Sequence, residues 1–309
     1  MNNLTILQNV TPKYDSIRTF LGKKDLVVSF YSRRCQFQCT HCDLPLSSPE
    51  EDISAEDVNA QVDWLLEKYA GDLPSIQVLS FGNDGSILDA KRFPRESLEY
   101  IFQKFASYDN ITTFALETRP EYLTSRSLSF VKDRFAGTTI DATIGFETVD
   151  DHLREDVLVK QIPRKSFERS ITLLGEFGAQ LTCYVMLKPG PHMTEEEGVQ
   201  EAQDTIQYLH DLTKKEGIHL NIYLNPTYIP ETSTLAGEME EVGYKPPKIQ
   251  SVAEVIRFTH ALNIHIYTGL WSEGLARDSM DYTRHDDYDP QLREQIRRFN
   301  QTNDISLLS

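Results

Sequence analysis

The stretch that decides the fold is Arg34-Cys35-Gln36-Phe37-Gln38-Cys39-Thr40-His41-Cys42, which follows the apolar run Leu26-Val27-Val28-Ser29-Phe30. Its three cysteines have C-x3-C-x2-C spacing. Cysteine thiolates are soft ligands that suit iron-sulfur clusters, and full ligation of a [4Fe-4S] cluster by protein takes four of them. A set of three therefore predicts a cluster that leaves one iron open to another ligand.

Two other interpretations also explain this spacing. Positions i, i+4 and i+7 form the apolar stripe of a helix, and cysteine is often a small core residue. The polar residues around the thiols, with Pro45 and Pro49 just beyond, favour an irregular loop instead. A structural zinc ion needs four closed ligands, for which only His41 or the distant Cys183 remains. The loop context favours the iron-sulfur cluster, and Cys183, inside an apolar run, is assigned to the core.

Composition and length are those of an ordinary globular enzyme. The chain has 309 residues, of which 39% are hydrophobic, and a single α/β barrel is allowed at this size. No apolar run reaches about 18 residues, and the start lacks the basic and apolar regions of a secretory signal. The sequence therefore predicts a cytoplasmic protein with no membrane association, and few cysteines fit a reducing compartment.

The chain is strongly acidic. Its 31 basic and 47 acidic residues give a formal charge of 31 − 47 = −16. Such a field repels polyanions unless basic residues are concentrated locally, and the short pairs Arg33-Arg34 and Lys214-Lys215 make no large patch. The charge favours a small-molecule substrate over a nucleic acid.

Apolar runs alternate with helical patterns along most of the chain, which is typical of parallel β/α units. We predict an α/β fold with a partial (β/α)6 TIM-like barrel and a short C-terminal cap, divided into a barrel domain over 1–268 and a cap or tail over 269–309. The predicted strands are Val27–Tyr31, Ile76–Phe81, Thr113–Glu117, Thr139–Gly145, Leu181–Met186 and His219–Asn225, with a further one at Ile264–Thr268. Helix caps are expected at Ser54 and Thr194.

With its cysteine loop placed after the first barrel strand, the chain resembles the radical S-adenosylmethionine (SAM) superfamily. The resemblance implies a [4Fe-4S] cluster on Cys35, Cys39 and Cys42, whose open iron binds the amino and carboxylate groups of SAM. It also implies one-electron cleavage of SAM to a 5′-deoxyadenosyl radical that abstracts hydrogen from a substrate. A low-potential electron donor such as flavodoxin or ferredoxin is expected as a partner. The family usually has an aromatic residue where this chain has His41.

The polar residues at the ends of the later strands extend the resemblance. Glu117-Thr118-Arg119-Pro120, Ile144-Gly145-Phe146-Glu147 and Lys160 are similar to the elongator-type and archaeosine-forming radical enzymes. The resemblance implies SAM contacts at Glu117, Glu147 and Lys160, and binding of the SAM amino group at Gly82, Asn83 and Asp84. Glu147 and Lys160 are alternatively a surface ion pair, and Arg119 either supports Glu117 or touches substrate.

Residues after the later strands are the candidates for a substrate pocket. Lys188 is the catalytic candidate among them, and the others are Asn225, Tyr228, Trp271, Arg277, Tyr282 and His285. The expected function is a radical SAM reaction on a small molecule. The alternatives are modification of a tRNA base, to which the motif resemblance points, and a zinc-stabilised interaction protein.

Overall fold

The computed structural model describes residues 10–135, 137–228, 230, 232–270 and 288–309. The predicted α/β class and partial TIM-like barrel are confirmed. Eight strands follow one another in the sheet in chain order: β1 Tyr14–Phe20, β2 Lys23–Ser29, β3 Val78–Gly82, β4 Thr113–Thr118, β5 Thr139–Glu147, β6 Gln180–Leu187, β7 Leu220–Pro226 and β8 His265–Thr268.

The helices stand between the strands, as the alternating pattern predicts. Those in the described residues are α1 Ala55–Lys68, α2 Arg95–Phe105, α3 Ser125–Arg134, α4 Arg164–Phe177, α5 Glu195–Glu216, α6 Ala236–Glu241, α7 Ile249–Ala261 and α8 Pro290–Thr302. Both expected caps form, because the Ser54 and Thr194 hydroxyls accept bonds from backbone N–H groups in the first turns of α1 and α5. No helix in the described ranges is long and apolar enough to cross a membrane.

Strand β1 is not among the strands predicted from the sequence. This strand pairs antiparallel with β2, and the two-residue connection between Phe20 and Lys23 consists of Leu21 at φ 51° and Gly22 at φ 76°. Two consecutive left-handed residues are typical of a type I′ turn, whose twist matches that of the strands it joins. The chain therefore enters the barrel through a tight hairpin, and its parallel pairing begins only at β2 and β3.

Contacts between Cα atoms divide the chain into two units. The first comprises Met1–Gln36, Leu44–Ile144 and Thr172–Gln180, and the second comprises Phe37–Asp43, Gly145–Ile171 and Leu181–Ser309. The domain boundary expected at residue 268 stays a prediction. In the second unit, Asn300 of α8 donates to the Thr268 carbonyl oxygen at 2.8 Å and accepts from its N–H at 3.0 Å.

In the first unit, alternate side chains of the strands point into a core of aromatic rings. Phe81 of β3 packs edge-on against Phe114 of β4 and Phe105 of α2, at centroid distances of 5.6 and 5.5 Å. Because successive side chains of a strand point to opposite faces, Gly82 and Glu117 lie on the other side of the sheet. The rings thus fix the strands that carry the first candidate site residues.

Candidate functional site

Backbone and side-chain hydrogen bonds of Thr40 hold the cysteine loop against its surroundings. Its N–H donates to the Leu158 carbonyl oxygen at 3.0 Å, its hydroxyl donates to the Val157 carbonyl oxygen at 2.6 Å, and its own carbonyl oxygen accepts from the Leu235 N–H at 3.0 Å. A turn then links Cys39 to Cys42, with a bond of 3.1 Å from the Cys42 N–H to the Cys39 carbonyl oxygen. The loop therefore has a defined path through the second unit.

The donor set of this loop fits an iron-sulfur cluster. Cys35, Cys39 and Cys42 are partly exposed, and none is in a disulfide. A Cβ atom added at Gly85 would come within 2.8 Å of the Cys35 sulfur, so the loop after β3 leaves room beside that thiol only because residue 85 is glycine. Among the described residues, no group of three or more His, Cys, Asp or Glu side chains is arranged to hold a metal ion. Three thiols in one loop nevertheless suit the ligation of a soft metal once they are deprotonated.

His41 and Cys183 are the two other possible ligands, and their surroundings differ. His41 is half-buried, and its Nδ1 is buried without a hydrogen-bond partner among the described residues. Burial, and next the positive charge of Lys160, lowers the pKa of His41 to about 3, so the ring is neutral. Cys183 lies in β6 and is fully buried, and burial raises the pKa of its thiol. A protonated thiol is a poor metal ligand, and this agrees with a core role for Cys183.

Gly82 and Glu117 form a close contact at the carboxyl ends of β3 and β4. A Cβ atom at residue 82 would lie 2.0 Å from Glu117 Oε2 and 2.9 Å from Glu117 Cβ. Only glycine therefore allows the Glu117 side chain to lie against this strand end. The carboxylate is held where a ligand at the strand ends could donate hydrogen bonds to it.

The two polar residues after Gly82 have different partners. The Asn83 side-chain N–H donates to Ser32 Oγ at 3.0 Å, while Asn83 Oδ1 is buried without a partner among the described residues. Asp84 is paired with Lys13 at 2.7 Å and accepts a short bond from Ser48. The amide oxygen of Asn83 is thus the better acceptor for an ammonium group, because the Asp84 carboxylate is already paired with Lys13.

Glu147 and Lys160 form a buried ion pair in the second unit. Lys160 Nζ lies 3.0 Å from Glu147 Oε1, and the two side chains are only 11% and 7% exposed. Glu147 has φ 70°, and its Oε2 is buried with no partner in the described ranges. A buried carboxylate oxygen without a donor is costly, so the pair is suited to a ligand that supplies one. A surface ion pair, the alternative expectation, does not describe these two side chains.

Lys188 is held by several groups after β6. Its Nζ donates to the Lys245 carbonyl oxygen at 2.9 Å and lies 3.3 Å from Glu195 Oε2. The Tyr244 hydroxyl in turn donates to the Lys188 carbonyl oxygen at 2.7 Å. These contacts tie the end of β6 to the start of α5 and to the segment before α7. A catalytic role for Lys188 stays a prediction.

The remaining candidates are only partly described. Arg119 donates to Glu121 at 2.6 Å. Asn225 and Tyr228 lie at and just beyond the end of β7. Four others lie outside the described residues: Trp271, Arg277, Tyr282 and His285. Sequence reasoning did not single out a row of tyrosines on β6, β7 and β8, namely Tyr184, Tyr223 and Tyr267. Each of them lies within three residues of the end of its strand, and that placement was the available signal.

An open acidic groove of about 880 Å³ lies in the second unit. It is bordered by the loops that follow β5, β6 and β7 and by the first turns of α5, and its floor includes Leu153, Val157 and Leu235. The carboxylates that line it are Asp150, Asp156, Glu197, Glu201, Asp204 and Glu238. The loops at the carboxyl ends of these strands thus present negative charge.

No family model matches the chain. It is similar to an uncharacterised protein of Methanocaldococcus jannaschii, with 24% identity over 303 residues that cover 96% of this chain and 81% of the relative. It is also similar to archaeosine synthase subunit beta of Methanosarcina acetivorans, with 25% identity over 238 residues that cover 76% of this chain and 66% of that protein.

Among solved structures, SuiB of Streptococcus suis, a radical SAM enzyme, superimposes with a TM-score of 0.51 at 11% identity. The match covers 79% of this chain and 50% of SuiB. The chain has the fold of radical SAM enzymes. The fold that the superfamily resemblance implies is thereby confirmed. Because the chain spans half the length of SuiB, the radical SAM fold alone carries over from that comparison.

Proposed function

We propose that this chain is a radical SAM enzyme that abstracts hydrogen from a small-molecule substrate. The observation that carries the proposal is the three-cysteine loop at the end of the first parallel strand of a radical SAM fold. A [4Fe-4S] cluster, when bound, supplies the electron that cleaves SAM into methionine and a 5′-deoxyadenosyl radical. Cys35, Cys39 and Cys42 would hold that cluster as thiolates.

The chain's own polar groups would position SAM. Lys160 carries a compact positive charge that can pair with a carboxylate, and its Nζ already lies 3.0 Å from Glu147 Oε1. Glu147 Oε2 and Asn83 Oδ1 are buried acceptors without partners among the described residues, and such acceptors suit ammonium or hydroxyl donors. Glu117, held against Gly82, offers a further acceptor for ribose hydroxyls. A low-potential donor such as flavodoxin or ferredoxin completes the proposal as the source of electrons.

The acidic groove and the net charge of −16 support a small or cationic substrate over a polyanion. The likeness to archaeosine synthase subunit beta favours a second candidate function, the modification of a tRNA base. Binding of bulk tRNA separates the two, because polyanion binding weakens steeply as salt rises. No binding at low salt would remove the tRNA candidate, and salt-sensitive binding would favour it.

The proposed reaction is tested by reconstituting the full chain with iron and sulfide without oxygen. We expect a brown protein that cleaves SAM to 5′-deoxyadenosine after reduction with dithionite. Alanine at Cys35, Cys39 or Cys42 should abolish both colour and cleavage. Cys183→Ala is the matched control, because this thiol is buried in β6 and is not part of the motif, and it should retain the cluster. A colourless protein, or a cluster that survives loss of all three thiols, would refute the proposal.

A further inference from the structure

Three tyrosines form a row across the strands of the second unit, which we call the tyrosine ladder: Tyr184 of β6, Tyr223 of β7 and Tyr267 of β8. They are direct partners in the parallel register, Tyr184 with Tyr223 and Tyr223 with Tyr267. The ring centroids are 5.0 Å apart in both pairs, at interplanar angles of 82° and 44°. The ladder is therefore a row of aromatic rings at matched strand positions, in which Tyr184 and Tyr223 meet edge to face and Tyr223 and Tyr267 are tilted.

The ladder lies on the face of the sheet that the helices do not cover. The residues that precede the three tyrosines, Cys183, Ile222 and Ile266, point to the other face and are almost completely buried. Helices α5 and α7 contact β7 and β8, and in β/α folds they cover that apolar face. Each ladder tyrosine is by contrast partly exposed. The rings thus face the interior of the partial barrel rather than its helical layer.

Polar groups accompany the ladder near the strand ends. Asn225 follows Tyr223 by two residues, so it shares the ladder's face and is partly exposed. A Cβ atom at Gly269 would lie 3.3 Å from Tyr223 Cε1 and 3.4 Å from Asn225 Oδ1. Because residue 269 is glycine, that position places no side chain against the edge of the Tyr223 ring or the Asn225 amide. A flat ring with hydrogen-bonding atoms on its edge fits such a combination of aromatic surface and amide.

We propose that the tyrosine ladder is a stacking surface for a planar nitrogen heterocycle in the substrate, with Asn225 bonding to the edge of that ring. The inference rests on the proposed function, because it assigns the ladder to the substrate of that same site. Tyrosines at matched positions on neighbouring strands also stabilise sheets by contacting each other. A binding measurement separates that structural role from a ligand-binding one.

The test uses 2-aminopurine riboside, a purine whose fluorescence is quenched on stacking. It is titrated into the reconstituted full chain with saturating SAM and no reductant, so that SAM fills its own site and no turnover occurs. We expect saturable quenching. Tyr223→Leu should weaken binding about fivefold or more, and Tyr223→Phe should keep it within about twofold, because stacking needs the ring and not the hydroxyl.

Tyr208→Leu is the matched control. Tyr208 is a partly exposed tyrosine of α5 in the same unit, whose ring stacks on Phe146 at 5.9 Å. The Tyr208→Leu variant should bind the probe as tightly as the unsubstituted chain. If Tyr223→Leu does not fold, Gly269→Ala provides the same information, because its methyl group crowds the ring edge and should weaken binding severalfold.

The proposal is overturned if quenching does not saturate, if neither Tyr223→Leu nor Gly269→Ala weakens binding, or if Tyr208→Leu weakens it as much. The proposed function is refuted by a different result. A chain that binds the probe as expected but never cleaves SAM would keep the ladder and lose the radical reaction. A chain that cleaves SAM but does not bind the probe would keep the reaction and lose the ladder.

Discussion

An alanine at Gly82 is expected to destabilise the first unit and to disturb the Glu117 carboxylate. The new methyl carbon would lie 2.0 Å from Glu117 Oε2, 3.1 Å from Cδ and 2.9 Å from Cβ. The carboxylate can rotate away, but Glu117 Cβ is fixed to the backbone of β4, so the two strands must also shift. Overpacking of this kind costs about 1–3 kcal/mol of unfolding free energy.

Urea unfolding followed by circular dichroism measures this cost. Gly71→Ala is the matched control, because a Cβ atom there meets nothing within 4 Å. In a Glu117→Ala background, Gly82→Ala should cost less, because only the contact with Cβ remains. SAM binding, measured by equilibrium dialysis, should weaken in Gly82→Ala and not in Gly71→Ala. If the two alanine variants are equally stable and bind SAM equally well, the contact between Gly82 and Glu117 does not matter as described.

Three further outcomes are expected. Gly145→Ala would place a methyl carbon 2.5 Å from Glu147 Oε1 and 3.0 Å from Lys160 Nζ. Both atoms are ends of flexible side chains that can move aside, so SAM affinity should fall while the urea midpoint changes little. Lys160→Met leaves the buried Glu147 carboxylate without its cation and should cost about 3–5 kcal/mol in urea unfolding, whereas an unchanged midpoint would mean that the pair is solvated. Burial, with two neighbouring histidines, lowers the pKa of His265 from its usual value of 6.5. The unfolded chain therefore binds a proton more readily than the folded chain, and stability is lost as pH falls below about 6.5. His265→Gln should flatten this loss in thermal melts between pH 7.5 and 5.

The parallel strands were predictable because each is a run of apolar residues followed by turn residues. Such runs need only local sequence to be recognised. β1 has no such run, since among its residues only Phe20 is buried. Its signal was the Leu21-Gly22 turn, which is meaningful only when the following strand is already known. An edge strand stabilised by pairing rather than by burial is hard to find from hydrophobicity.

The residues of the site could be predicted from the sequence, but the contacts between them could not. The cysteine spacing and the polar strand ends are visible in the sequence, but Asp84 meets Lys13 across 71 positions, and no pattern connects them. The burial of Glu147 with Lys160 depends on backbone geometry, because the Lys160 N–H bonds to the Arg154 carbonyl oxygen and returns the chain to the strand end. The assignments of these residues to SAM stay predictions.

The left-handed backbone of Glu147 has a consequence for engineering. A residue with a Cβ atom pays about 1–2 kcal/mol for that conformation, which glycine would avoid. Replacing both Glu147 and Lys160, by glycine and methionine, would relieve the backbone and eliminate two sequestered charges at once. Directed evolution for heat tolerance alone would therefore be drawn toward variants that discard this pair, so such a screen should retain a readout of catalysis.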